Sequence, residues 1–254
     1  MLKKGCHISK VLGVKIDCIR EDQVLETVEK WLLTNRGRRY ILTPINPEMV
    51  MLAQKDNRFL RVLNGADLRI ADGMGLRLAD KRLKRVAGTS MMMSLIELAV
   101  KKSWRVFLLG GRGQAAERAA EKLRNRYSGL EIKGESGPEE IGKERPREKQ
   151  NLSEQINRFK PHLLFVGFGQ VKQEKWIAKN LAKLKVRVAM GVGGAIDQVV
   201  KPWLRAPKLC QCLGLEWLWR LLMQPWRLKR QLVLVRFVWL VISDKYLGGG
   251  QRRE

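Results

Sequence analysis

Five times in this chain a short apolar run, rich in β-prone residues, ends in a loop of Gly, Asn or Asp and then opens a helical pattern. The runs are "RYILT" before "PINPE", "LRIA" before "DGMG", "WRVFLLG" before "GRGQ", "PHLLFVGFG" before "QVKQE", and "VRVAMGVGG" before "AID". Apolar runs of this length are strands buried on both faces, and strands that alternate with helices pair in parallel through crossover connections. The repeated unit therefore predicts an α/β fold: a Rossmann-like, largely parallel sheet with helices on both faces.

The remaining segments fit that plan. Residues 11–17 ("VLGVKID") read as a further strand and 130–134 ("LEIKG") as another. Residues 21–35 place Val24, Leu25, Val28, Trp31 and Leu32 on one helical face. Asn46 is an N-cap with Pro47 in the first helical position. Residues 56–66 form a short helix, and 89–102 a helix capped by Thr89. Residues 114–127, 151–159 and 173–183 are helical, and 135–150 form a polar exposed loop. The composition changes near residue 200. Residues 201–254 hold 11 Lys/Arg against 3 Asp/Glu and five of the eight tryptophans. Two units are expected: an α/β domain over 1–200, and a basic, Trp-rich helical appendage over 201–254.

Charge narrows the partners. The 254 residues carry 50 Lys+Arg against 25 Asp+Glu, a net charge of +25. An excess this large repels itself unless a polyanion relieves it, which leaves nucleic acid, anionic lipid and diphosphate substrates as partners. Four cysteines (Cys6, Cys18, Cys210, Cys212) show no paired C-x₂-C spacing. They read as reduced thiols. With only His7 and His162, a Ser-His-Asp triad or a histidine metal cluster is hard to build. There is no D-x-D pair to hold a metal against a diphosphate, so no metal and no cofactor is expected. The first 17 residues carry charge without an apolar core, so no secretory signal is expected. The apolar stretch near the end is split by Arg236 and falls short of the roughly 20 residues that span a bilayer.

In open parallel sheets ligands bind outside the carboxyl ends of the strands, where glycine loops and helix N-termini favour anions. Asp72 in "ADGMG" stands at such an end, either as a turn residue or as a catalytic base. Asp197 in "GGAID" has the same two readings. "GGRGQAA" contains G-x-G-x-x-A at Gly111, Gly113 and Ala116, and Glu131 follows about 20 residues on, the distance expected of a ribose-binding acid. That pattern supports an alternative, an NAD-dependent Rossmann oxidoreductase. Tight strand–helix packing explains the same glycines.

In the appendage, Trp217, Trp219, Trp226 and Trp239 interleave with Arg220, Arg227 and Arg230. The arginine offsets of 7 and 3 share one helical face, although Pro225 interrupts it. Basic helices with tryptophans among long aliphatics bind membrane surfaces, whereas nucleic-acid binding calls for a recognisable module that is missing here. An ordinary helix docked on the sheet is the plainer reading, and a basic membrane-binding adaptor without enzymatic activity is a second alternative.

Taken together, "TPINPEMVMLAQKDNRFLRVLNGADLRIADGMGL", "RVAG", "VFLLGGRGQAAERAAEKLRNRY", "FVGFGQVKQEKWI", "GVGGAID" and "RAPKLCQCLGLEWLWRLLMQPWRLKRQ" resemble the WecG/TagA/CpsF glycosyltransferases, in family order over about residues 10–231. The resemblance implies an inverting enzyme at the cytoplasmic face of the cell membrane, peripherally bound to an anionic surface. Such enzymes move N-acetylmannosamine, or its uronate, from a UDP-sugar to polyprenyl-diphosphate-linked N-acetylglucosamine, in teichoic acid or other surface polysaccharide synthesis. It also implies Asp72 as general base and substrate contacts from Thr43, Asn46, Arg85, Gln173, Gly193 and Gly194. Arg220, Arg227 and Arg230 are implied as diphosphate-binding residues. A homo-oligomer is compatible with this reading, and no nucleic acid is expected. Three features depart from the family pattern. Ile45 lengthens the T-x-N spacing, Val171 replaces a Pro before K-Q-E, and the link from Asp72 to Arg85 is short.

Overall fold

The computed structural model describes residues 7–34, 37–138, 141, 145–204, 210, 219, 222 and 228–246. The chain opens with β1 (Ile8–Val11) and β2 (Val14–Asp17), an antiparallel hairpin in which Val11 faces Val14. Residues 11–17 are thus not one strand. Leu12 and Gly13 take φ of 46° and 84°, the left-handed pair that reverses a hairpin in two residues.

A second sheet contains β3 (Tyr40–Ile45), β4 (Leu68–Ala71), β5 (Val106–Gly110), β6 (Ile132–Glu135), β7 (Leu163–Gly167) and β8 (Val188–Gly191). Its order is β4-β3-β8-β7-β5-β6, and every neighbouring pair is parallel. The last two strands of the chain enter the centre of the sheet, between β3 and β5. This is the Rossmann-like α/β fold expected from the sequence.

Connecting helices cover both faces. On one face α1 (Glu21–Thr34), α5 (Gly88–Lys101), α6 (Ala115–Arg126) and α9 (Ala195–Val200) bury Val28, Met92, Ala116 and Ile196 against Leu42, Val106 and Val188. On the other, α7 (Pro146–Phe159) and α8 (Lys172–Asn180) bury Ile156 and Ile177 against Phe107, Leu164 and Ala189. Beside them lie α2 (Pro47–Ala53), α3 (Asn57–Asn64) and the short α4 (Leu76–Ala79), with Met49, Phe59 and Leu76 in their own cluster.

Local chemistry sets the helix ends. The Asn46 Oδ1 accepts the Met49 N–H at 2.9 Å and Asp56 Oδ1 accepts the Phe59 N–H at 2.9 Å, satisfying amides that the first turns leave orphaned. Two boundaries differ from the sequence reading. The loop over 135–150 ends early, because Pro146 starts α7 and Glu148 accepts the Arg145 N–H at 3.0 Å. Thr89 is not a cap, since α5 already begins at Gly88 behind Ala87 and has no side-chain cap of its own.

Two contacts tie peripheral elements to the sheet. Arg69 lies in a wholly buried strand, and its charge is met by Asp17, which accepts its Nε at 3.0 Å and its backbone N–H at 2.8 Å. At the far end of the chain, α10 (Leu228–Tyr246) packs on α2 and α4. Phe237 and Val241 join the cluster of Ile45, Met49 and Leu76, while Val235, Trp239 and Ile242 stay exposed.

Candidate active site

The β3–β8 ladder runs from Tyr40↔Val188 to Leu42↔Met190 and stops, whereas β3 and β4 stay paired as far as Ile45↔Ala71. Pro44, which has no N–H to give a ladder, lies just past the last β8 pair and lines the opening. A cleft of about 260 Å³ occupies this gap at the carboxyl ends of the strands. Asn46, Asp72, Gln173, Gly193 and Gly194 all line it. Four stretches that are far apart in sequence meet there.

Asp72 follows β4 directly and its N–H donates to the Ile45 carbonyl at 2.7 Å, which pins it to the end of β3. Gly73 then turns away at φ 105°. The Asp72 carboxylate faces the amino end of α5. A Cβ on Gly88 would sit 3.3 Å from Asp72 Oδ2 and 3.1 Å from Pro44 Cβ, so glycine lets the helix approach this closely. The positive end of a 14-residue helix favours negative charge at that spot.

The floor of the cleft is polar but closed. The Gly193 N–H donates to Gln173 Oε1 at 2.9 Å, Gln173 Nε2 donates to Glu174 Oε1 at 2.6 Å, and Glu174 Oε2 accepts the Val171 N–H at 2.7 Å. Glu174 is only 3% exposed. Burial pushes its carboxyl up to about 7, against the hydrogen bonds from Gln173 and the backbone, which favour the ionised form. Asn46 has committed its Oδ1 to the α2 cap, so it offers the cleft its Nδ2 donor.

The far wall holds Asp197, whose Oδ1 accepts the Arg112 N–H at 3.0 Å and so ties the β5–α6 loop to the first turn of α9. Arg112, Arg118 and Lys201 line this side. Sequence reasoning missed all three cations. Arg112 alone carried a signal, standing inside a glycine loop, while Arg118 and Lys201 look like ordinary charges on helix surfaces.

Other expected residues fall elsewhere. Thr43 is 3% exposed inside β3, opposite Arg69, and does not line the cleft. Arg85 pairs through its backbone with Ala71, beside the end of β4 and outside the cleft lining. Arg220 and Arg227 lie outside the described residues, as does the Arg230 side chain. Glu131 precedes β6, and its carbonyl accepts the Val106 N–H at 2.9 Å. It therefore sits at the amino edge of the sheet, opposite the cleft, where it cannot hold a ribose beside Gly111 and Gly113. Gly111 instead serves packing, because a Cβ there would meet Ala115 Cβ at 2.8 Å and Ile196 Cγ2 at 3.3 Å. Among the described residues no group of three or more His, Cys, Asp or Glu is placed to hold a metal ion.

A parallel sheet that gathers a carboxylate, amide donors and cations beyond the carboxyl ends of β3, β4, β5, β7 and β8 defines a Rossmann-like α/β enzyme. Within that class the chain belongs to the glycosyl transferase WecG/TagA/CpsF family, whose model matches residues 9–250, and it is a glycosyltransferase. It is similar to proteins of Staphylococcus aureus strains MW2, MRSA252 and NCTC 8325. Each is named N-acetylglucosaminyldiphosphoundecaprenol N-acetyl-beta-D-mannosaminyltransferase and is 29% identical over 240 residues, covering 92% of both chains.

Proposed function

We propose that this glycosyltransferase moves N-acetylmannosamine, or its uronate, from a UDP-sugar to polyprenyl-diphosphate-linked N-acetylglucosamine with inversion, in teichoic acid or related surface polysaccharide synthesis. The carrying observation is Asp72, a carboxylate fixed between β3, β4 and the amino end of α5 at the edge of a cleft whose other wall is cationic. The names of the relatives supply the acceptor and the sugar.

In this reading Asp72 takes the proton of the acceptor hydroxyl as that oxygen bonds to the anomeric carbon. The bond from that carbon to the diphosphate oxygen breaks on the opposite face, and UDP leaves with the electron pair. General-base help of this kind is worth about 10²–10⁴-fold. Arg112, Arg118 and Lys201 meet the charge on the leaving diphosphate from within the cleft. Arg220, Arg227 and Arg230 add to it from the appendage, and arginine grips phosphate in a bidentate way that lysine cannot. Asn46 and Gln173 orient sugar oxygens, Gly193 and Gly194 admit the nucleotide close to the backbone, and Thr43 and Arg85 support the β3 and β4 ends. No metal or cofactor is required by this scheme.

The enzyme works at the cytoplasmic face of the membrane as a peripheral protein. No helix among the described residues is long and apolar enough to cross a bilayer, and the exposed Trp239 and Val235 of α10, with the +25 charge, suit an anionic surface. A purely adaptor-like protein would have no use for the Asp72 arrangement.

The deciding experiment is Asp72→Asn. UDP release in the presence of a UDP-sugar and a prenyl-diphosphate N-acetylglucosamine analogue should fall about a hundredfold or more, with folding and UDP binding retained. Near-normal turnover in that variant would remove Asp72 from the chemistry.

A further inference from the structure

Gln173 stands between two groups whose hydrogen-bonding sense is fixed. A backbone N–H can only donate, so the Gly193 amide must meet the Gln173 carbonyl oxygen, at 2.9 Å. A carboxylate accepts, so Glu174 Oε1 must meet the Gln173 NH₂ group, at 2.6 Å. The amide orientation, often ambiguous, is here dictated from both ends. One Nε2 hydrogen remains, on a side chain that lines the cleft.

Glu174 also accepts the Val171 N–H at 2.7 Å, the usual contact of a capping-box acid. Such caps stand at helix ends in water and need only one carboxylate oxygen. Here the acid is 3% exposed and its other oxygen is spent on Gln173. Gly191 backs both side chains: a Cβ there would lie 2.7 Å from Gln173 Nε2 and 2.8 Å from Glu174 Oε1. A cap alone explains neither the burial nor the second contact.

We propose that Glu174 is a positioning residue that locks Gln173 as a hydrogen-bond donor, so that this point of the cleft selects an acceptor oxygen on the substrate, such as a sugar hydroxyl, acetamido carbonyl or phosphoryl oxygen. The proposal deepens the glycosyltransferase reading above and rests on it for the identity of that substrate. A glutamine at 174 cannot replace the acid. Its single oxygen can serve either the Val171 N–H or the Gln173 NH₂, and its own NH₂ then opposes the other donor. Protonation of Glu174 weakens the lock in the same way. The charged side chains on the elements packed around it are Lys172, Lys175 and Lys179 of α8, Lys183 of the turn that follows it, Arg58 and Arg61 of α3, and Asp56 before α3, whose carboxylate binds Lys175; Asp197 of α9 is held by the Arg112 amide. Burial is the largest cause of its shifted titration, not any of these charges.

Two measurements test this. In the first, the side-chain NH₂ resonances of Gln173 are followed by ¹⁵N NMR from pH 5.5 to 8.5. They should titrate with Glu174 in the wild type and stay flat in Glu174→Gln. This needs no substrate, so it stands whatever the donor sugar proves to be. An absence of titration in the wild type overturns the lock. In the second, transfer is assayed for Glu174→Gln, Gln173→Ala and the double variant. Each single change should lower kcat about 10- to 100-fold, mainly in kcat and less in KM, and the double should be no worse than Gln173→Ala. Multiplying effects, or wild-type kcat in Glu174→Gln, overturn the proposal. If Glu174→Gln does not fold, the pH profile of Gln173→Ala decides. Its acid limb should disappear, and an unchanged limb counts against Glu174 acting through Gln173. A wild type that shows the NMR titration but no transfer from any UDP-sugar counts against the donor assignment alone.

Discussion

Gly191 and Gln173 are packed so closely that glycine is the one residue the β8 position accepts, with a Cβ there falling 2.7 Å from Gln173 Nε2. Both neighbours are buried, Gln173 at 4% and Glu174 at 3% exposure, so neither can swing aside into solvent. Gly191→Ala should therefore displace the floor of the cleft. Overpacking of this kind costs about 1–3 kcal/mol. A fall in denaturation midpoint together with at least a tenfold loss of transfer, roughly the effect of a misplaced catalytic group, is the expected result. Wild-type behaviour would mean the floor is more plastic than the packing implies.

The pH dependence of stability follows from Glu174. Its folded carboxyl titrates at about 7, above the ordinary carboxylate range. The folded state therefore holds a proton that the unfolded chain has released, and folding is favoured less as pH rises from about 4.5 to about 7. The contribution is fully present at the acid end of that window and lost at its alkaline end. A shift of this size corresponds to something on the order of 3 kcal/mol. Urea unfolding of wild type and Glu174→Gln at pH 5 and pH 8 should show the variant gaining on the wild type as pH rises. A constant difference across that range would disprove the assignment.

The cationic wall should govern nucleotide affinity. Arg112, Arg118 and Lys201 reach the cleft from three separate places in the chain, and a hydrogen bond to a charged group is worth about 1.5–3 kcal/mol. Arg118→Ala and Lys201→Ala should each weaken UDP binding roughly tenfold, measured by calorimetry. The loss should shrink as salt screens the wild-type attraction. Unaltered affinity in both variants would place the diphosphate elsewhere.

Two neighbours on α10 should separate stability from membrane binding. Phe237 is 1% exposed and packs with Met49 and Leu76, whereas Trp239 is 65% exposed. Truncating a buried phenylalanine costs about 3–5 kcal/mol, so Phe237→Ala should lower the melting temperature by several degrees. Trp239→Ser should leave melting unchanged and reduce flotation with anionic vesicles. If Trp239→Ser floats as well as the wild type, the exposed face of α10 is not the lipid contact.

The sequence was enough to read the strands of the parallel sheet, the helices around it and the direction of its pairing, because those depend on local pattern: apolar runs of strand length, a cap such as Asn46, and crossover spacing. It also placed Asp72, Gln173, Gly193 and Gly194 after strands, hence at one edge of the sheet. It went wrong where one or two backbone angles decide, as at Leu12 and Gly13, where a strand became a hairpin. Which strand ends are neighbours depends on the packed sheet. β8 inserts beside β3, a pairing across more than a hundred residues that no local pattern encodes, and the gap beyond Leu42 then becomes the cleft. The packing of α6 on α9 brings Arg112, Arg118 and Lys201 to one wall, and the pairing of Thr43 with Arg69 of β4 leaves it buried outside the cleft. The insertion of β8 also closes Gly191 over Glu174. In the sequence Glu174 is one more charged residue at a helix start; its role arises from burial, which only the packed sheet supplies.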